Sequence, residues 1–518
     1  MRLTLLAPLA IGLAASSAPA QSYDVLIRGG TVVTGNAAPR RADVGIQGDR
    51  IAFVGTAPAN ATAKRIIEAR GLTVAPGFID PHTHTSGDLS SAQSRDGVPN
   101  RANVPYLMQG VTTVITNNDG GSPIDIGRQL EGWKTNGIGT NAAVYIGQGS
   151  VRGAVVGSTS AAATPAQIDS MKKLVARAMD AGAIGMSTGL YYAPGSYSTT
   201  EEVIELAKVA AAKGGMYDSH IRDESSYSVG LVGAVNEVIR IGREARMPVH
   251  ISHIKALGVD VWGQSDTVIA LMKKARAQGI DITASQYPYT ASGSSVGASL
   301  LPRWAESGGG DSLRMRLRDP ATRAKIVTEM EDNLRRRGGA NTLLMTSTRD
   351  STILGKRLDA IAKARGVSPV EAAIQIILNG GSSVASFNMN DKDIEKFMVQ
   401  DFIVTDSDGS DGHPRKYGTF PKIFREYVRN KKTLTLRQAV ERSSSHTAKM
   451  FGFKDRGVLA EGAFADVIVF DAANFVDRST YEQPTLLAEG MKYVLVNGSL
   501  AIDGGKFTGA MAGRIVRR

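Results

Sequence analysis

An α/β fold is what this chain predicts: a parallel, TIM-like barrel with a small β domain built from both ends. Three observations predict it. First, five short apolar runs each end in residues that bind metals or move protons. Residues 77–81 lead into His82 and His84, 111–116 into Asn117, Asn118 and Asp119, 216–219 into His220, 249–252 into His253, and 402–407 into Asp408. In a parallel barrel, strand ends of this kind meet at one rim, where the active site is built. Second, strand-like and helix-like segments alternate through the middle of the chain, the pattern of βαβ units. Third, short alternating segments punctuated by turn residues stand at both termini.

Taken in order, residues 1–20 read as a secretory signal. Met1-Arg2 is a short positive start, 3–15 is apolar, and Ala18-Pro19-Ala20 before Gln21 fits a small-x-small cleavage site. This predicts export, to the periplasm rather than the medium, with no membrane span after cleavage. Residues 21–75 hold strand-like segments at 24–28, 31–33, 42–46 and 50–54, separated by Gly29-Gly30, Asn36 and Gly48-Asp49, and read as a small antiparallel sheet. Residues 76–455 form the barrel unit. Within it, 200–213 is a helix ending at Gly214-Gly215, 266–278 is a helix stopped by Gly279, and 369–378 is a third. The charged stretch from about 305 to 395 separates the last two expected strands and reads as an inserted subdomain or lid. Residues 456–518 return to the short-strand style, with Asn497-Gly498 as a hairpin signal, and complete the small β domain.

Composition narrows the function. At 518 residues with 42% hydrophobic content, the chain can bury a large core. There is no cysteine, so disulfides, thiolate ligands and thiolate nucleophiles are all excluded. The net charge is +11, but clusters such as Arg335-Arg336-Arg337 and Lys431-Lys432 are short and lack interleaved aromatics, which argues against nucleic-acid binding. A basic surface steers anionic small molecules instead. No feature of the sequence sets an oligomeric state.

His82-x-His84 at a strand end places two imidazoles on one side, a pair that suits a divalent ion such as zinc. His220 and His253 gain weight as further ligands from that pair, since the chain has only seven histidines. His250, three residues before His253, falls on the opposite strand face and reads as structural, as does His446 on a helix. Asp408 can bind a metal or act as general base to a metal-bound water. Asp406 lies on the same face by alternation, so spacing does not choose between them. Asp119, before Gly120-Gly121, gains weight only from its place after the second strand, and Glu224 is either a site residue or an ion-pair partner.

The Gly77-Phe78-Ile79-Asp80-x-His82-x-His84 segment resembles the opening of the amidohydrolase superfamily. The stretch 185–195 (GMSTGLYYAPG), Ser252-His253-x-Lys255, Tyr287-Pro288-Tyr289 with Leu301-Pro302-x-Trp304, and Ser407-Asp408-Gly409 with His413-Pro414-Arg415 narrow the likeness to the N-acyl-D-amino-acid deacylases. The resemblance implies a (β/α)8 barrel with a β-sandwich from both termini, and metal-activated water attacking the amide carbonyl of a small-molecule substrate. It implies His82 and His84 at one metal subsite, His220 and His253 at the other, and Asp408 as acid/base. It places Lys255, Tyr192, Ser294 and Arg415 around the substrate carboxylate. The implied cofactor is Zn2+, one or two per chain.

The sequence departs from that pattern twice. Asp119 stands where the typical D-aminoacylase has a metal-binding cysteine; its harder oxygen makes Mn or Co more acceptable and lets it bridge two ions. Gln148 stands where histidine is common, in the segment ending at Arg152. The fourth-strand segment 183–187 carries no lysine, unlike hydantoinase-like relatives that use a carbamylated one. Two other readings stay open: the same site acting on another amide (a dipeptide, an L-amino-acid conjugate or a xenobiotic), and a non-catalytic metal-binding barrel.

Overall fold

The computed structural model describes residues 22–518; the expected signal segment lies outside them. The strands Phe78–Asp80, Val111–Thr116, Asn141–Val144 with Ile146–Gly147, Gly185–Gly189, Met216–His220, Val249–Ile251, Ile282–Gln286 and Ile403–Thr405 pair in parallel, each with the next. A further parallel bridge runs from Thr83 to Gly409, and His84 N donates to Gly409 O at 3.1 Å. The first and last of these strand ends therefore touch. Gly77 lets the chain run close against the next strand, because a Cβ there would lie 2.1 Å from Thr112 Oγ1.

Helices link the strands, and their ends follow local chemistry. Thr200–Ala212 starts at Thr199, whose hydroxyl accepts from Glu202 N, and Pro369–Leu378 starts at Ser368, which accepts from Glu371 N. The apolar faces of Thr200–Ala212 and Gly230–Ala245 pack into one large core cluster that includes Val203, Leu206, Val235, Val238 and Ile241. Among the described residues no helix is long and apolar enough to cross a membrane.

The two termini meet in one nine-stranded sheet. It is mixed, which corrects the expectation of an antiparallel sheet. Ser22–Val32 is long enough to pair antiparallel with Arg40–Gln47 on one edge, and in parallel with Thr62–Glu68 and then Thr73–Pro76 on the other. Val467–Phe470 joins Thr73–Pro76 antiparallel and brings in the C-terminal strands. The hairpin between Met491–Val496 and Ser499–Asp503 turns at Asn497 (φ 48°) and Gly498 (φ 80°), both left-handed as a two-residue primed turn requires. Phe78 stacks on Phe420 and Phe424 at 5.5 and 5.6 Å and meets Phe470 edge-on, so the sheet and the parallel strands share apolar contacts.

The charged stretch expected to begin near 305 packs with a strand upstream of it. Ala291–Ser295, Ser382–Phe387 and Leu343–Thr348 form a separate antiparallel sheet. Helices between 296 and 378 cover it with their own core cluster, including Leu300, Ile326, Met330 and Ile374. The first strand, Ala-Ser-Gly-Ser-Ser, has no apolar run to announce it.

His250 lies on the buried strand Val249–Ile251, with Nδ1 2.8 Å from Thr283 Oγ1 and its ring against Phe451. Burial, with smaller contributions from His82 and His253, pushes it down to about 3. The folded chain therefore leaves His250 neutral below pH ~6.5, where the unfolded chain protonates it, and stability falls as pH drops through that window. Replacing it (His250→Asn) is expected to shrink the stability lost between pH 6.5 and 5.5 by about 1 kcal/mol, read from urea midpoints at the two pH values.

Candidate active site

Four expected ligands, all histidines, converge on the fifth, Asp119. Its Oδ1 lies 3.4 Å from His82 Nε2, 3.4 Å from His253 Nε2 and 3.7 Å from His220 Nδ1, and its Oδ2 lies 3.5 Å from His84 Nε2. Asp408 Oδ1 faces the same imidazoles, 3.0 Å from His84 and 3.7 Å from His82. Two groups have the spacing of a metal site: His82, Asp119, His253 and Asp408, and His220, Glu224 and His253. His253 belongs to both. His84 is the most solvent-accessible of these imidazoles, with 37% of its side chain exposed.

The backbone is bent to make this cluster. Asp119 (φ 57°), His253 (φ 37°) and Asp408 (φ 44°) are all left-handed, a conformation non-glycine residues rarely hold without support. Support comes from buried carboxyls beneath. Asp80 Oδ1 accepts from Ser407 N (3.0 Å) and His82 N (3.3 Å), tying the first and last strand ends together. Burial and the neighbouring Asp406 push Asp80 up to about 8. Asp218 accepts from Ser252 Oγ and Asn118 Nδ2, and burial raises it to about 6. The loop carrying Asp119 presses on Gly189, where a Cβ would sit 2.2 Å from the Asp119 carbonyl oxygen.

The left-handed turn at Asp408 separates it from Asp406. Asp406 is buried and accepts from His253 N at 3.2 Å, while Asp408 turns into the cavity. Burial opposes ionisation of Asp408, but Arg415, His253, His84 and His82 outweigh it and hold the carboxyl far below its usual range. Burial likewise works against Asp119, and His82, His253 and His220 overcome it. Burial holds His220 down at about 4, leaving it neutral with a lone pair to offer. For His253, burial and Lys255 oppose a charge, yet Asp408, Glu224 and Asp119 push it up to about 10.

These residues fit a divalent ion. His82 is fully buried and neither ring nitrogen has a hydrogen-bond partner; Asp119 Oδ1 has none either. Buried polar atoms left so need an explanation, and imidazole nitrogens facing carboxylate oxygens are the donor set of zinc, manganese or cobalt.

Lys255, Tyr192, Ser294 and Arg415 line the same cavity of about 520 Å³. Lys255 Nζ is 2.6 Å from Glu224 Oε1 and 2.7 Å from His253 Nδ1. Arg415 Nη1 is 2.7 Å from Asp408 Oδ2. The Tyr192 ring lies 4.7 Å from that of His220, and burial raises its hydroxyl well above the ordinary range. Ser294 sits on the strand Ala291–Ser295 of the inserted sheet. Gln148 is tied to Ser198 Oγ and Glu202 and stays off the cavity. Glu224, left open by the sequence, sits between His220, His253 and Lys255. Its only signal was the carboxylate four residues after His220.

The Amidohydrolase family matches residues 65–502. The chain is 34% identical to the D-aminoacylase of Alcaligenes xylosoxydans xylosoxydans, over 97% of this chain and 99% of that one. It is 33% identical to the N-acyl-D-glutamate deacylase of the same organism, over 92% and 93%. Among solved structures, the N-acyl-D-glutamate deacylase of Bordetella bronchiseptica, complexed with zinc and a phosphonate inhibitor, superposes with a TM-score of 0.80 at 30% identity, covering 96% of this chain and 100% of that one. By the extent of these matches and the cluster described above, the chain belongs to the amidohydrolase family.

Proposed function

We propose that the protein is a hydrolase of linear amides that cleaves N-acyl-D-amino acids to a carboxylate and a free D-amino acid. The observation that carries the reading is one cavity holding a His/carboxylate cluster together with the cations Lys255 and Arg415 beside it. The names of the relatives support an N-acyl-D-amino acid as the substrate class. The parallel strands, joined at Thr83 and Gly409, support a (β/α)8 barrel; the shared nine-stranded sheet supports a terminal β-sandwich, and the separate core supports an inserted subdomain. Residues 1–20 are proposed as a cleaved signal, placing the enzyme in the periplasm.

His82, Asp119, His253 and Asp408, with His84, His220 and Glu224 alongside, would hold one or two divalent ions, zinc foremost. When bound, such an ion lowers the pKa of water and polarises a carbonyl. Asp408 enters as the ionised base, takes a proton from the attacking water, and returns it to the leaving nitrogen. Arg415 fixes Asp408 Oδ2, which leaves Oδ1 facing His82 and His84. Lys255, Tyr192, Ser294 and Arg415 orient the substrate carboxylate, using charge-assisted hydrogen bonds.

The test is amine release from paired N-acetyl-D and N-acetyl-L amino acids, before chelation, after it, and with zinc restored. Chelator-sensitive release from the D series alone is expected. Release from the L series, or from dipeptides only, would replace the substrate assignment.

A further inference from the structure

Five arginines are buried among the described residues. Arg152, Arg415 and Arg456 each hold a carboxylate: Glu202, Asp408 and Asp466. Arg442 is spent on Thr405 Oγ1 and the Met398 carbonyl, and does not line the cavity of the site. Arg337 does line it, at 2% exposure, and no carboxylate lies within ion-pair distance of it among the described residues. Its partners are all neutral: Nε donates to Ser299 O at 3.0 Å, Nη1 to Ser386 Oγ at 3.2 Å, and Nη2 reaches Tyr191 Oη only at 3.5 Å.

The preceding arginines show the contrast. Arg335 pairs with Asp260 at 2.8 Å, and Arg336 with Asp332. Arg337 follows the helix Pro320–Arg336, and the negative end of the helix dipole favours a cation there. That partial charge does not offset the desolvation of a whole guanidinium, which proteins ordinarily balance with an anion. Tyr191 sets the position of Arg337 relative to the chemistry. Its hydroxyl faces Arg337, and its ring lies 5.9 Å from that of His220. Arg337 is thus one tyrosine away from the metal-site histidines, in the same cavity.

We infer that Arg337 is a specificity-determining residue, forming an anion subsite that takes a second carboxylate on the substrate, beyond the α-carboxylate. This rests on the deacylase reading above and deepens it: the preferred substrates are dianionic. The second carboxylate has two sources, an acidic amino-acid side chain or an acyl group that ends in a carboxylate, as in a succinyl amide.

The full chain with its metal would be assayed on two pairs: N-acetyl-D-glutamate against N-acetyl-D-glutamine, and N-succinyl-D-leucine against N-butyryl-D-leucine. The diacid of one pair is expected to exceed its neutral partner in kcat/KM by about ten- to a hundredfold, the factor a charged hydrogen bond gives. The responding pair identifies the source. Arg337→Gln is expected to bring that ratio close to one, and Arg337→Lys to restore part of it. A ratio cancels any loss of folded protein. Equal rates within both pairs for the unaltered enzyme, or a ratio that survives Arg337→Gln, would overturn the inference.

Thermal stabilisation of the chelated chain by the same compounds reads binding without turnover. A larger shift with the diacid, lost in Arg337→Gln, supports the subsite even where no compound is hydrolysed; that outcome removes the deacylase reading alone. Equal shifts without hydrolysis remove both.

Discussion

Replacing Asp408 with asparagine is expected to lower kcat for N-acetyl-D-amino acid hydrolysis by about 10³-fold, within the 10²–10⁴ range of general acid–base catalysis. The substitution keeps the side chain's shape and its hydrogen-bonding oxygen, but removes the group that accepts and returns the proton. KM should move little, because Lys255, Tyr192 and Ser294 still line the cavity. Bound metal, measured by elemental analysis, should largely remain, since His82, Asp119 and His253 keep their donors. A variant that kept more than about a tenth of the original kcat would require a different base. Asp406 would then be the nearest alternative, although its carboxylate is committed to the backbone N–H of His253.

The choice between Asp406 and Asp408 shows where sequence reading stops. Alternation put both on one face, but the strand Ile403–Thr405 ends before either, and the left-handed φ of Asp408 breaks the period. The ligand histidines were legible because each closes an apolar strand, and because few histidines compete. Glu224 was not, since it follows His220 across an irregular stretch where no period applies. The parallel strand Thr62–Glu68 was missed for a similar reason: five of its seven residues are exposed, so it shows no alternation of burial. The inserted sheet opens on a run of small polar residues that reads as loop. Arg337 is the extreme case. Three consecutive arginines are equivalent in sequence, and only folding exposes two to carboxylates and buries the third without one.

His253→Ala is expected to abolish metal binding and hydrolysis together, because His253 is common to both candidate groups. The side chain is 1% exposed, with Nε2 facing His220 and Asp119, and Nδ1 facing Lys255 and Glu224. Its removal strips a donor from each group and opens a void, so lower intrinsic stability is expected as well. The two effects separate by linkage: a ligand present at 100 times its Kd stabilises the folded state by about 2.7 kcal/mol. Zinc should raise the melting temperature of the chelated original chain and leave that of chelated His253→Ala nearly unchanged. Asp119→Ala should behave differently. Asp119 Oδ1 lies between His82, His220 and His253, so it would act beside imidazoles of both candidate groups. Its loss should leave the imidazoles able to hold an ion more weakly, with lower metal content and a reduced zinc-dependent shift. Unchanged metal content and activity in Asp119→Ala would exclude that carboxylate as a ligand.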